Sequence, residues 1–269
     1  MPDKETRLFH IGPQKGATTW IYECLKNHGD IRTSDRDTIH YFDMNDHRGR
    51  AWYDAQFTHG DGSCYFDPTF TYLRAPYAAK NIHTAFPNAK IMVNLRSPID
   101  RAFAHYWHEK KKGAINVPFT DVFSNYDLYQ SWIEPGLYAA RLKPYVDAFG
   151  VQNILPILMT DIKNNPNDVL NRIYDFAGIK NVPMPEIATQ TVNATGAKRN
   201  ILNQSLYKLG NKITNGKASQ NELWRTLGGI ENKEDIITPQ IHAQLLDIFM
   251  PDIVALETMF GINLDAWKQ

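Results

Sequence analysis

Lys15, Thr18 and Thr19 carry the most readable chemistry in this sequence, because they stand inside Phe9-His10-Ile11-Gly12-Pro13-Gln14-Lys15-Gly16-Ala17-Thr18-Thr19. One cation and two hydroxyls gather where the chain changes character. Residues 7–11 are of extended type, Gly12 and Pro13 interrupt them, and an amphipathic run begins at Thr18 and stops near Asn27 and Gly29. The order is strand, tight loop, helix. A loop that ends at a helix N-terminus offers unpaired N–H groups and the positive end of the helix dipole, so this turn is a candidate anion site. Pro13, Gln14, Lys15, Gly16, Ala17, Thr18 and Thr19 are its candidate contacts.

Spacing narrows the kind of anion site. A nucleotide triphosphatase loop needs Gly, four residues, then Gly-Lys-Ser/Thr; here Lys15 precedes Gly16, and no Gly-Lys-Ser/Thr follows anywhere. The dinucleotide pattern G-x-G-x-x-G fails too, since Gly12 and Gly16 are too far apart. Taken alone, the stretch is better described as a capped strand-to-helix turn with no ligand. A second motif has to decide.

The elements that must position such a loop can be read along the chain. Its 269 residues, 43% hydrophobic, suffice for a large core, and one domain over 1–269 is expected. Short β-type runs alternate with helical ones, the pattern of an α/β fold whose mainly parallel sheet is covered by helices on both faces. Strands are predicted at 63–66, 90–95 and 154–159, the last despite Pro156, and helices at 72–86, 98–112, 137–149, 169–177 and 239–260. Residues 189–232, rich in Asn, Gly, Lys and Thr, read as a mobile flap rather than a domain boundary.

Composition excludes several classes of function. Lys plus Arg equals Asp plus Glu at 29 each, so no global field draws the chain to nucleic acid or acidic membranes. Cys24 and Cys64 are the two cysteines and suit buried thiols in a reducing compartment better than a disulfide scaffold. Neither has metal-ligand company. The charged N-terminus leaves no room for a signal sequence, and no apolar run approaches a membrane span, so a cytoplasmic protein is expected.

The second motif is Leu95-Arg96-Ser97-Pro98-Ile99-Asp100-Arg101-Ala102-Phe103-Ala104-His105-Tyr106. An arginine at the C-terminal end of a parallel strand, before a proline-started helix, faces the same edge as the first loop and can bind a second phosphate. Together the two segments resemble the paired loops of sulfotransferases that use 3′-phosphoadenosine 5′-phosphosulfate (PAPS), especially the glycan-modifying and bacterial branch. That family's first loop reads about P-Q-K-x-G-T-T and its second about L-R-N-P-x-D-R-A-Y-S-H-Y. Four further segments resemble the family in order: His40-Tyr41-Phe42-Asp43, like K-E-x-H-F-F-D, with Gly49 to Tyr53 like G-x-x-W-Y; Asp67 to Leu73, like E-x-T-P-x-Y-L; Gly136 to Ala139, like G-x-Y-A; and Leu256 to Trp267, like the closing helix and L-x-x-W. Six weak motifs in the right order make a strong one.

The resemblance implies a P-loop-type three-layer sandwich and an enzyme that moves a sulfuryl group from PAPS to an acceptor hydroxyl or amine. It leaves 3′,5′-adenosine bisphosphate and needs no metal. The implied acceptor is a glycan or a small hydroxylated molecule. By the same resemblance the first loop holds the 5′-phosphosulfate, Lys15 stabilises charge on the bridging oxygen, and Arg96 takes the 3′-phosphate with a planar guanidinium. Arg199 lies where bacterial relatives carry a basic loop and is a further candidate; an exposed basic pair explains it equally. The rival readings are an ATP- and magnesium-dependent phosphotransferase, which the missing Gly-Lys-Ser/Thr opposes, and a nucleotide binder without catalysis.

Three departures from the pattern bear on the chemistry. Gly16-Ala17 stands where the family has x-Gly, so a methyl group lies near the phosphate. Ala104 replaces the serine of Y-S-H-Y at the 3′-phosphate position, and Ser97 is the nearby residue able to compensate. The position of the family's basic glutamate is Thr38, which is no base. His40, Asp37 and Asp67, in that order, are the candidates to replace it, His40 because imidazole exchanges a proton near neutral pH; a structural histidine bonded to a carbonyl is the competing reading.

Overall fold

The computed structural model describes residues 5–14, 16–189 and 237–269. Lys15, Arg199 and all but the first residue of the expected flap at 189–232 lie outside the described residues. Five strands, β1 (Thr6–His10), β2 (Ile31–Thr33), β3 (Cys64–Asp67), β4 (Lys90–Leu95) and β5 (Ile154–Leu158), form one sheet in the order β2-β3-β1-β4-β5. Every strand pair is parallel, as in Leu8 opposite Phe66 on one side and Lys90 on the other.

Helices cover both faces, because strands buried on two sides must be apolar on two sides. One face packs Leu8, Phe66 and Met92 against α1 (Thr18–Leu25) and α8 (Pro166–Ala177) through Trp20, Ile21, Leu170 and Ile173. The other packs Phe9, Ile91, Val93 and Leu95 against α3 (Ala78–Ala85), α4 (Pro98–Lys111), α6 (Tyr138–Phe149) and the C-terminal helix Pro239–Phe260. Three short helices, α2 (Arg50–Asp54), α5 (Tyr126–Leu128) and α7 (Met159–Asn164), complete the described set. This is the expected α/β three-layer sandwich with a parallel central sheet.

Pro156 is tolerated because β5 is an edge strand of the described sheet, where a missing donor breaks no inner ladder. Expected helix 72–86 is corrected: a 3-10 turn at Tyr72–Arg74 precedes α3, and Ala75 is extended at φ −79° and ψ 119°. Pro76 forces that geometry on the residue before it. Cys24 and Cys64 are buried free thiols, each pushed up to about 12 by burial.

Topology sets the site. After β1 the chain builds β2 and β3 on one side, then crosses to place β4 on the other, so the loops after β1 and β4 part at the carboxyl edge. Ligands of open α/β sheets bind in that crevice. The C-terminal helix reaches it through two close contacts. Asp252 accepts from the amides of Ala139 (2.9 Å) and Ala140 (3.4 Å) at the start of α6, and a methyl on Gly136 would meet Phe249 at 3.0 Å.

Candidate active site

Gly12 is the first element of the site, because its φ of 121° suits glycine and a Cβ there would lie 2.2 Å from the Phe70 carbonyl oxygen. The loop after β3 therefore sits directly on the loop after β1. Leu73 N–H donates to the Ile11 carbonyl at 3.0 Å and Asn94 N–H to the Gly12 carbonyl at 2.8 Å, so two loops and the end of β4 are stitched together at this point. Beyond it, Gly16 N–H closes on the Pro13 carbonyl at 3.2 Å, and Asn94 Nδ2 donates to the Gly16 carbonyl.

Helix α1 starts at Thr18 with no side-chain cap, so its first amides, with the hydroxyls of Thr18 and Thr19, lie at the mouth of the loop. The residue before it, Ala17, is left-handed at φ 67° and ψ 28°. That conformation explains why a related loop carries glycine here. Gly16 is favoured for a different reason: a Cβ would stand a tight 3.0 Å from the Pro13 carbonyl oxygen and 3.3 Å from Asn94 Cβ.

At the end of β4, a cavity of about 280 Å³ opens beside Arg96 and Ser97 and is lined further by Thr160, Lys163, His242 and Trp267. Its volume is close to the lower end of small-molecule sites, roughly 300–1,000 Å³. Tyr138 OH donates to the Arg96 carbonyl at 3.0 Å, which explains the Gly136 to Ala139 segment as a brace for this turn. Ser97 caps α4 by accepting from Asp100 N–H at 3.4 Å, and its own hydroxyl proton remains a donor. Ser97 lines this cavity and Ala104, nearly two turns further along α4, does not. Arg101 is buried and donates to the Trp132 carbonyl; burial lowers it to about 10.

The three candidate bases lie in different surroundings. Asp37 is exposed on the segment after β2. Asp67 is fully buried and accepts from Thr69 N–H (3.1 Å), Thr69 Oγ1 (2.5 Å), Tyr53 OH (3.1 Å) and Tyr72 OH (3.0 Å). Such a carboxylate is spoken for: it holds the loop after β3. Burial pushes it up to about 6, against the four hydrogen bonds that pull it down. His40 is left-handed at φ 57°, and its backbone N–H donates to Thr69 Oγ1 at 3.2 Å. Its Nδ1 meets Asp43 Oδ2 at 3.1 Å and Thr71 Oγ1 at 3.1 Å, while Thr71 donates to the same carboxylate. The imidazole is 28% exposed and the carboxylate 8%. A carboxylate at Nδ1 places the proton there and leaves Nε2 as the basic nitrogen.

Asp43 and Thr71 were not legible as functional partners, although a carboxylate three residues after a histidine is a signal that could have drawn attention. Tyr53 and Trp132 are fully buried, and Trp52 and Trp107 pack against the core, so these aromatic side chains serve packing. Among the described residues no three His, Cys, Asp or Glu side chains gather as a metal site, and no helix is long and apolar enough to cross a membrane.

A family model described as the sulfotransferase domain matches residues 5–257. The chain belongs to that family. Heparan sulfate glucosamine 3-O-sulfotransferase 3A1 of Mus musculus is 30% identical over 179 residues, which take in 64% of this chain and 45% of the mouse protein. A bifunctional heparan sulfate N-deacetylase/N-sulfotransferase of Drosophila melanogaster is 27% identical over 209 residues, 66% of this chain and 20% of the fly protein. The match thus spans about half or less of these curated relatives. The crystal structure of a sulfotransferase from Alicyclobacillus acidocaldarius superposes with a TM-score of 0.71 at 22% identity, over 98% of this chain and 99% of that one, and shares the fold.

Two consequences for this sulfotransferase domain can be measured. Left-handed backbone costs a non-glycine residue about 1–2 kcal/mol, and glycine gives back about 0.4–1 kcal/mol through its freer unfolded chain, so Ala17→Gly should stabilise by about 0.5–1 kcal/mol in urea denaturation. A loss of stability would contradict the assigned conformation. For Asp67, the folded value near 6 lies above the unfolded 3.8, so the native state holds the proton longer. Stability from this group is greatest at low pH and falls as pH rises from 3.8 to about 6, then stays level. Urea denaturation across that range should show the slope in the wild type and lose it in Asp67→Asn.

Proposed function

We propose that this chain transfers a sulfuryl group from PAPS to a hydroxyl or amine of a carbohydrate or small hydroxylated acceptor, within one domain and without a metal. The observation that carries the reading is the meeting, at one sheet edge, of an uncapped helix N-terminus, an arginine-lined cavity and a carboxylate-oriented imidazole. The relatives named for heparan sulfate support a carbohydrate acceptor.

Each part has a task set by its chemistry. Residues 13–19 bind the 5′-phosphosulfate through the amides and hydroxyls at the start of α1, and Lys15, placed by the sequence, balances charge that grows on the bridging oxygen. Arg96 and Ser97 bind the 3′-phosphate, with Lys163 adding positive charge to the same cavity. Arg199 remains a candidate for a further phosphate contact. The donor supplies the sulfuryl group and departs as 3′,5′-adenosine bisphosphate.

His40 takes the proton from the acceptor at Nε2, and Asp43 stabilises the imidazolium that forms. Exposure decides among the three candidates. Asp43 is sheltered where His40 is partly open, so the imidazole can reach an acceptor while its partner stays fixed. Asp67 has four donors and no open face, and Asp37 has no described partner that would aim it. The family glutamate is absent at Thr38, and a histidine two residues on takes the work.

Binding and turnover test this in two steps. In thermal-shift measurements 3′,5′-adenosine bisphosphate should stabilise the protein, by about 2.7 kcal/mol at a hundred times its Kd, and more than ATP with magnesium. Stabilisation by ATP alone would overturn the donor assignment. With labelled donor and a panel of glycan acceptors, His40→Ala should lower kcat by about 10²–10⁴ while bisphosphate affinity holds. An unchanged kcat would remove His40 from the role.

A further inference from the structure

Two polar side chains are buried directly behind the anion loop, and the proposed transfer uses neither. Strands of a sheet covered on both faces are expected to be apolar throughout, yet His10 ends β1, Asn94 is next to last in β4, and both are fully buried. His10 is in register with Met92, so alternation puts Leu8, His10, Met92 and Asn94 on the face covered by α1.

Asn94 grips the loop. Its backbone N–H donates to the Gly12 carbonyl, its Nδ2 donates to the Gly16 carbonyl, and its Cβ stands 3.3 Å from where a methyl at position 16 would be. In a trans peptide the carbonyl and the following N–H point opposite ways. Holding the Gly16 carbonyl down onto Asn94 therefore turns the Ala17 N–H up toward the mouth of the loop, where an anion would sit.

An asparagine amide is almost symmetric in shape, and its hydrogen bonds alone decide which end faces where. Flipped, it would set Oδ1 against the Gly16 carbonyl oxygen and release the loop. Something must hold Oδ1 on the other side. Neither His10 ring nitrogen nor Asn94 Oδ1 has a hydrogen-bond partner among the described residues, so a buried donor and a buried acceptor stand on the same face of neighbouring strands. Burial lowers His10 to about 4, against a raising influence of Asn94, so the ring is neutral and carries one N–H. Unpaired, each group would bear its full desolvation cost.

We propose that His10 and Asn94 form a positioning pair for the anion loop, the imidazole N–H donating to Asn94 Oδ1 and thereby fixing Nδ2 on the Gly16 carbonyl. The ligand consequence rests on the donor reading above; the pair itself does not. Two measurements on the full chain separate them.

The first is ¹⁵N NMR of the His10 ring in the protein without ligand, expected to show one neutral tautomer with a protected N–H that becomes exchangeable in Asn94→Leu. A ring N–H that exchanges freely in the wild type, or one unaltered in Asn94→Leu, overturns the pair. Should Asn94→Leu fail to fold, the wild-type signal decides.

The second is calorimetric titration with 3′,5′-adenosine bisphosphate. His10→Leu and Asn94→Leu should each weaken binding about tenfold, the double variant no more than Asn94→Leu alone, and His10→Gln, which retains a donor, should restore most of the affinity. Additive losses, or an unchanged affinity in folded His10→Leu, overturn the positioning role. If the wild type does not bind the bisphosphate, the donor reading fails, and the ring signal alone judges the pair.

Discussion

Gly12 is the joint on which the site depends. Its missing side chain lets the Phe70 carbonyl approach to a distance no Cβ would permit, and its own carbonyl accepts the Asn94 amide. Through the first contact the loop after β3 is laid on the anion loop; through the second the end of β4 is drawn to the same place. His40 is bonded to Thr69 and Thr71 of one loop, and Arg96 lies two residues beyond Asn94 of the other. A single glycine thus sets where the imidazole and the guanidinium stand relative to the helix N-terminus. Any residue larger than hydrogen at that point separates all three.

The carboxylates show how one side-chain type is given different work by its surroundings. Asp67 is buried among four donors, and its network fixes the loop that carries Thr69 and Thr71. Asp43 is almost as sheltered but meets an imidazole, so its charge is directed outward through His40. Asp37 faces water. Buried polar networks are rigid when every member is satisfied, and the site is built with the satisfied member inside and the partly open one at the surface.

Legibility followed the range of the forces involved. Strand β4 and the C-terminal helix could be bounded from sequence because apolar periodicity and proline act within a few residues, and the strand-loop-helix turn at 9–19 was readable for the same reason. The break at Pro76 is equally local, yet the apolar run around it hid the signal. A motif gives order along the chain but not reach: Ser97 and Ala104 lie on one side of α4 about two turns apart, and of the two only Ser97 lines the cavity. The Asp43 partnership depends on a left-handed turn at His40, a conformation uncommon for a residue other than glycine. His10 and Asn94 did leave a trace, a polar residue near the C-terminal end of each of two strands, but only parallel register brings them to the same face.

The order Gly16-Ala17 is the point where these constraints compete. Position 17 asks for glycine because its backbone is left-handed; position 16 asks for glycine because Asn94 and Pro13 leave little room for a methyl. Backbone strain at 17 is a fixed penalty of about 1–2 kcal/mol and leaves the loop's shape intact. A methyl at 16 would instead press on Asn94 and the Pro13 carbonyl, the contacts that set the direction of the Gly16–Ala17 peptide. With one glycine for two sites, the sequence spends it where the alternative is a change of geometry and accepts strain where the alternative is only energy. A polar residue beneath the loop, rather than the ligand above it, then accounts for a glycine displaced by one.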